Sequence, residues 1–245
     1  SKIKCVQMIG RGTILCEGLL DGEDKKYFLI FDYCGNFDFF DAHPEGIVNL
    51  NSKSLSQRLF ELKLDILTEL QSYKYQSNQI CKAYYDKLKP ELFANVQEIK
   101  QSSARIAVRE QMAYVDKYID YEAWQAISPL SKAEIKIHLS RLIANDLKQD
   151  RSALVFDGWM LNAELSILVQ DSVADAQRQV GHIRYTAKTL LETAASIPAV
   201  YAQAKILQTL VGTEFWQKPS IDKLEQYREA IRDLMKYMPP PVAPV

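Results

Sequence analysis

The spacing of hydrophobic positions along this chain changes near residue 50. Before it, the strongest signal is Tyr27-Phe28-Leu29-Ile30-Phe31, a short apolar and aromatic run that predicts a buried strand. Gly10, Gly12, Gly18 and Gly22 fall in the turns ahead of it. Asp32-Tyr33-Cys34-Gly35-Asn36 reads as a loop behind it, because Gly and Asn tolerate turn conformations. From Ser52 onward glycines become sparse and the period turns helical. Leu55, Leu59, Leu62, Ile66 and Leu70 repeat at three- and four-residue spacing, which draws one apolar stripe on a helix.

The same logic places the later helices. Pro90 is expected to start a segment striped by Leu92, Phe93, Val96 and Ile99, since a helix's first turn has no use for the missing N–H. Ser131-Lys132-Ala133-Glu134 has the form of a capping box, with Leu130 and Ile135 placed to staple it and Leu139, Leu142 and Ile143 continuing the buried face. Val173, Ala176, Val180, Ile183, Ala187, Leu190 and Ala194 form a coiled-coil-like seam. Ile197-Pro198 breaks that seam, because proline disfavours helix in the residue before it. A shorter helix is expected at Leu207, Leu210 and Val211, and a last one at Ile221, Leu224, Tyr227, Ile231 and Leu234 after Pro219-Ser220. No fixed repeat runs through these helices, so a bundle of unequal helices is expected rather than a solenoid. The fold class is thus mainly α: a helical domain over residues 51–238, preceded by a small α/β segment over 1–50 and followed by a Pro-rich tail, 239–245, expected to be disordered.

Composition and charge narrow the function classes. Across 245 residues the hydrophobic share is 47% and the formal net charge is -1, so no global basic field draws the chain onto DNA. No apolar run approaches the length of a membrane span, and Ser1-Lys2-Ile3-Lys4 lacks the pattern of a secretion signal. Cys5, Cys16, Cys34 and Cys81 form no Cys-x-x-Cys pair and do not cluster with His43, His138 or His182, which argues against zinc and fits a reducing cytoplasm.

One stretch carries chemistry. In Gln7-Met8-Ile9-Gly10-Arg11-Gly12-Thr13, an Arg sits on a glycine turn. Its planar guanidinium suits two parallel bonds to phosphate oxygens and can stabilise charge that develops in phosphoryl transfer. Together with Phe28-Leu29-Ile30-Phe31-Asp32-Tyr33-Cys34-Gly35-Asn36-Phe37, the string resembles motif VI of a superfamily-two helicase and the next strand of its second ATPase lobe. The combination is similar to the motor (R) subunits of type I restriction enzymes, whose typical pattern is Gln-Met-Ile-Gly-Arg-Gly-Thr-Arg-Leu-Cys. Ile14 stands where that family has its second Arg. Ala126-Ile127-Ser128-Pro129-Leu130 and Phe156-Asp157 extend the resemblance more weakly.

The resemblance implies a C-terminal part of an ATP-dependent type I site-specific deoxyribonuclease. Residues 1–50 would be the remnant of a helicase second ATPase lobe, with Gln7, Gly10 and Arg11 in the nucleotide site. ATP and Mg would serve the whole subunit. The helical domain would dock on the methyltransferase and specificity subunits, and duplex DNA would be engaged through the full protein. No Gly-x-x-x-x-Gly-Lys-Ser/Thr loop occurs, so this segment alone is expected to be inactive. Two alternatives are a helical DNA-contacting tail of another translocase and a non-enzymatic helical scaffold.

Other constellations favour plain readings. Glu61-Leu62-Lys63 has the Glu-x-Lys form of a nuclease motif, with Asp41 upstream, but Glu98-Ile99-Lys100 and Glu134-Ile135-Lys136 match equally and all three fall in helical pattern. Asp32 is expected to cap its loop. His138 and His182 are expected to be structural or surface residues, and Trp124, Trp159 and Trp216 to pack at helix junctions, with one of them open to a partner. Lys82, Lys87 and Lys89, interleaved with Tyr84 and Tyr85, read as a solvated helix face.

Overall fold

A computed structural model describes residues 53–144, 150–169, 173–193 and 196–239. Residues Lys53–Pro239 form one compact unit that is mainly helical, with no strand among the described residues. The segment read as α/β, including the strand 27–31, and the tail lie outside them. In chain order the α-helices are α1 (Leu55–Leu70), α2 (Tyr73–Gln76), α3 (Gln79–Gln101), α4 (Ile106–Arg109), α5 (Met112–Tyr118) and α6 (Pro129–Glu134). They continue as α7 (Arg151–Val169), α8 (Val173–Thr193), α9 (Pro198–Tyr201), α10 (Ala204–Val211), α11 (Glu214–Gln217) and α12 (Ile221–Ile231), which runs into a final 3₁₀ turn, Arg232–Tyr237.

The architecture turns on α7. It packs against α1, α8, α12 and the final 3₁₀ turn, while α3 packs on α1 and α12. It also contributes to two apolar clusters at once. Leu161 and Leu168 join the cluster built from α1, α3, α5 and Trp124. Phe156, Met160 and Ala163 join the cluster built from α8, α10 and α12. The expectation that no apolar run reaches membrane-spanning length is corrected here. Arg151–Val169 has 19 residues and passes that test by length and composition. Its surroundings are the protein's own core helices, so its apolar character is spent on packing.

The stripes expected in α1, α3, α8, α10 and α12 face the core where their side chains are described, with Leu55, Leu62, Phe93, Val180, Val211 and Tyr227 only half-buried. Leu59, Ile66, Leu70, Leu92, Val96, Ile183, Leu190, Leu207 and Leu224 are all in the core. On α1 the buried surface is wider than one stripe, because Phe60, Leu64 and Leu67 are also enclosed between α3 and α7.

Two local expectations are corrected. Pro90 does not start a helix: it lies inside α3, which begins at Gln79 behind the cap Asn78, whose side chain accepts from the Ile80 and Cys81 N–H groups. The proline is exposed, so water can satisfy the carbonyl its ring deprives of a donor, and buried Leu88 and Leu92 hold the helix together on either side.

The capping box at Ser131 is also displaced. The cap of α6 is Ser128, whose hydroxyl accepts from the Ser131 N–H at 3.0 Å, and Pro129 occupies the first turn. Proline's preset φ favours that position, so the helix starts three residues early. Glu134 instead accepts from Lys117 and from the Tyr118 hydroxyl, each at 2.6 Å, and Leu130 is 69% exposed and staples nothing. Replacing Ser128 by alanine should cost about 1 kcal/mol of stability, whereas Ser131→Ala should be near neutral; urea unfolding of the two variants distinguishes them.

The buried face expected after α6 is present, with Leu139 and Leu142 in the core. The chain widens into one π turn, Ile135–Leu139, before a 3₁₀ turn at Ser140–Leu142. Ile135 and Leu139, four residues apart, share one face of the π turn and are both fully buried.

Candidate functional site

Gln7, Gly10, Arg11, Asp32 and Asp41 lie outside the described residues. The remaining sequence candidates resolve as structural groups. Tyr84 and Tyr85 belong to the core rather than to a nucleic-acid face. Lys89 lies over the rings of Tyr85 and Tyr121, at 5.2 and 5.4 Å from their centroids. His138 stacks on Tyr114 with centroids 3.6 Å apart and shares a 2.7 Å hydrogen bond with Gln111. His182 stacks on Trp159. Trp124 is fully buried, and the Trp216 Nε1–H donates to the Leu210 carbonyl at 2.8 Å. Trp159 and Trp216 are half-buried.

Glu61, of the Glu-x-Lys pattern, is on a helix and faces Ser140. Its carboxylate accepts from Ser140 at 2.8 Å, from Gln57 at 3.0 Å and from Lys53. Burial pushes this carboxyl up, but Lys53, Ser140 and Gln57 together bring it below its ordinary value. The network ties α1 to the 3₁₀ turn at Ser140. No group of three metal-ligating side chains forms among the described residues, and Asp41 lies outside them.

The most structured polar region is a cavity of about 860 Å³ whose walls carry Lys63, Lys87, Glu91, Asp157, Arg228 and Arg232 beside Leu59 and Phe60. Its floor is an ion-pair network built on α12 and α7. Arg228 and Arg232 are four residues apart and so share one helix face. Asp157, 3% exposed, receives Arg228 Nη1 at 2.8 Å and Arg232 Nη2 at 3.0 Å. The other edge of Arg228 makes a two-pronged contact with Glu225, Nε at 2.7 Å and Nη2 at 2.8 Å. Lys87 on α3 reaches Glu225 at 3.1 Å and also pairs with Glu229. Lys63 pairs with Glu91 across α1 and α3.

Each charge in this network answers another. Burial pushes the Glu225 carboxyl up, yet Arg228 and Lys87 hold it below the usual range. Burial pulls Arg228 down, and Glu225 with Asp157 more than reverses it, so the guanidinium stays charged. Lys87 is likewise held up by Glu229 and Glu225 against its burial. Lys63, Lys87, Arg228 and Arg232 are thus each paired with an acid, whereas Arg105, also on this wall, donates to the Leu142 carbonyl at 3.1 Å.

Nothing local in the sequence marks Arg228, Arg232 or Glu225, while Lys87 is exposed, as expected of a solvated face, and still reaches Glu225. One signal was available: Asp157 and Glu164 are the only acids in the apolar segment 153–168, and isolated acids in such a segment need buried partners. Comparison with family models, with curated proteins and with solved structures found no match to this chain.

Proposed function

We propose that this chain is the C-terminal part of the motor subunit of a type I restriction enzyme, and that its helical domain is an assembly module that docks the motor onto the methyltransferase core. The observation that carries the reading is the string Gln7-Met8-Ile9-Gly10-Arg11-Gly12-Thr13 followed by Phe28 to Phe37. In the complete subunit Gln7, Gly10 and Arg11 would face the nucleotide, ATP and Mg would supply the driving reaction, and duplex DNA would be the track, all within the cytoplasm. The helical domain supports a binding rather than a catalytic role. Its surface presents apolar side chains that a partner could cover, Tyr73, Ile106, Tyr185 and Tyr201 among them, each at least 68% exposed.

The test is co-purification of the chain with its cognate modification and specificity subunits. A stable complex is expected. Failure to form one, with the chain folded by circular dichroism, overturns the docking role. Tight, salt-dependent binding of duplex DNA by the chain alone would instead favour a DNA-contacting tail.

A further inference from the structure

Among the described acids, Glu164 is the one with no exposed surface. It lies on α7, two helical turns after Asp157, and is completely buried. Its Oε2 accepts a hydrogen bond from the Tyr84 hydroxyl at 2.7 Å. Its Oε1 is also buried and has no hydrogen-bond partner.

The charged groups that face it are all committed elsewhere. From α1, Lys63 pairs with Glu91. From α12, Arg228 is divided between Glu225 and Asp157. Glu225 itself presents a second negative charge, and on α7 Asp157 is held by Arg228 and Arg232. From α3 comes only the neutral Tyr84, whose own ionisation is pushed far up by burial and by Glu164. An ionised carboxylate with one hydrogen bond, no counter-ion and a like charge nearby is costly to bury, and the group escapes that cost by binding a proton.

We infer that Glu164 is a proton-binding site built into the seam of the domain, joining α3, α7 and α12 as the neutral acid and loosening that seam when the proton leaves. The Tyr84–Glu164 bond links α3 to α7, and α12 closes against both. Because α7 serves both apolar clusters, a change at this point reaches each of them.

The direction of the pH dependence follows. Burial raises the Glu164 carboxyl, Glu225 raises it further, and Tyr84, Arg228 and Lys63 only partly oppose them, leaving it at about 8 against 4.5 in an unfolded chain. Between those values the folded state binds the extra proton. The stabilisation is complete below the unfolded value, declines as pH rises, and is lost as pH passes the folded value. Glu61 and Glu225 behave oppositely, since their carboxyls are held low and lose stabilisation on acidification. The buried thiol of Cys81 is pushed up from 9.0, so it stays neutral through this window.

Urea unfolding of the full chain and of Glu164→Gln across this range tests the idea, with infrared spectroscopy as a second readout. The folding constant of the wild type should fall on the order of a hundred-fold between about pH 6 and about pH 9 relative to that of E164Q, in which the amide is a fixed neutral substitute. At neutral pH the wild type should show the carbonyl stretch of an un-ionised carboxylic acid, absent from E164Q and disappearing as the solution is made alkaline. Parallel pH profiles for the two proteins, or no such band in the wild type at neutral pH, would overturn the inference. Should E164Q not fold, titration of the wild-type band decides alone.

Discussion

Replacing Arg228 by alanine is expected to cost about 3–5 kcal/mol of unfolding free energy. The size comes from what remains rather than from what is lost. The Arg228 side chain is 9% exposed and stands between Asp157 and Glu225, which are 5% and 11% exposed. Removing it leaves two acids in a poorly solvated pocket, with only Arg232 on the first and Lys87 on the second. Asp157→Ala should cost less than R228A, because Arg228 keeps its two-pronged contact with Glu225. The double variant D157A/R228A should lose less than the sum of the two single variants. Urea unfolding of all four proteins gives this cycle, and strict additivity would mean the buried pair is not coupled.

Trp124→Ala should be comparably damaging, about 3–5 kcal/mol, for a different reason. The indole is fully buried, sits edge-on to Phe93 at 6.2 Å, and donates Nε1–H to the Tyr118 carbonyl at 2.9 Å. Alanine leaves a cavity too large for the short helices around it to close. Trp124→Phe keeps most of the packing but strands a buried carbonyl, so a loss of about 1–3 kcal/mol is expected. Denaturant melts followed by circular dichroism, which does not depend on the deleted fluorophore, measure both. Equal losses for W124A and W124F would assign the whole effect to the hydrogen bond.

Much of the helical architecture was legible in the spacing of apolar residues. Where one face is buried and the other wet, as with Leu92, Val96 and Ile99 or with Ile221, Leu224 and Ile231, the period alone marks the helix and its inner side. The central helix was not legible for the same physical reason. Arg151–Val169 is enclosed from several directions, so its apolar residues do not gather into one stripe and its period is blurred. Boundaries failed where two local rules competed. Ser128 with Pro129 and Ser131 with Glu134 are both plausible starts, and the choice was made by Tyr118 and Lys117, which claim Glu134 from outside the segment. The ion-pair floor of the cavity was hidden by distance along the chain. Asp157 and Arg228 are 71 positions apart, and nothing local announces that they meet.

The position of α7 has a consequence for how the domain comes apart. Phe156 and Met160 belong to one apolar cluster and Leu161 and Leu168 to the other, on alternate faces of a single rod. Neither half can shed its core without stripping a side of the helix the other half needs. Loosening either cluster therefore exposes part of α7 and weakens its hold on the other.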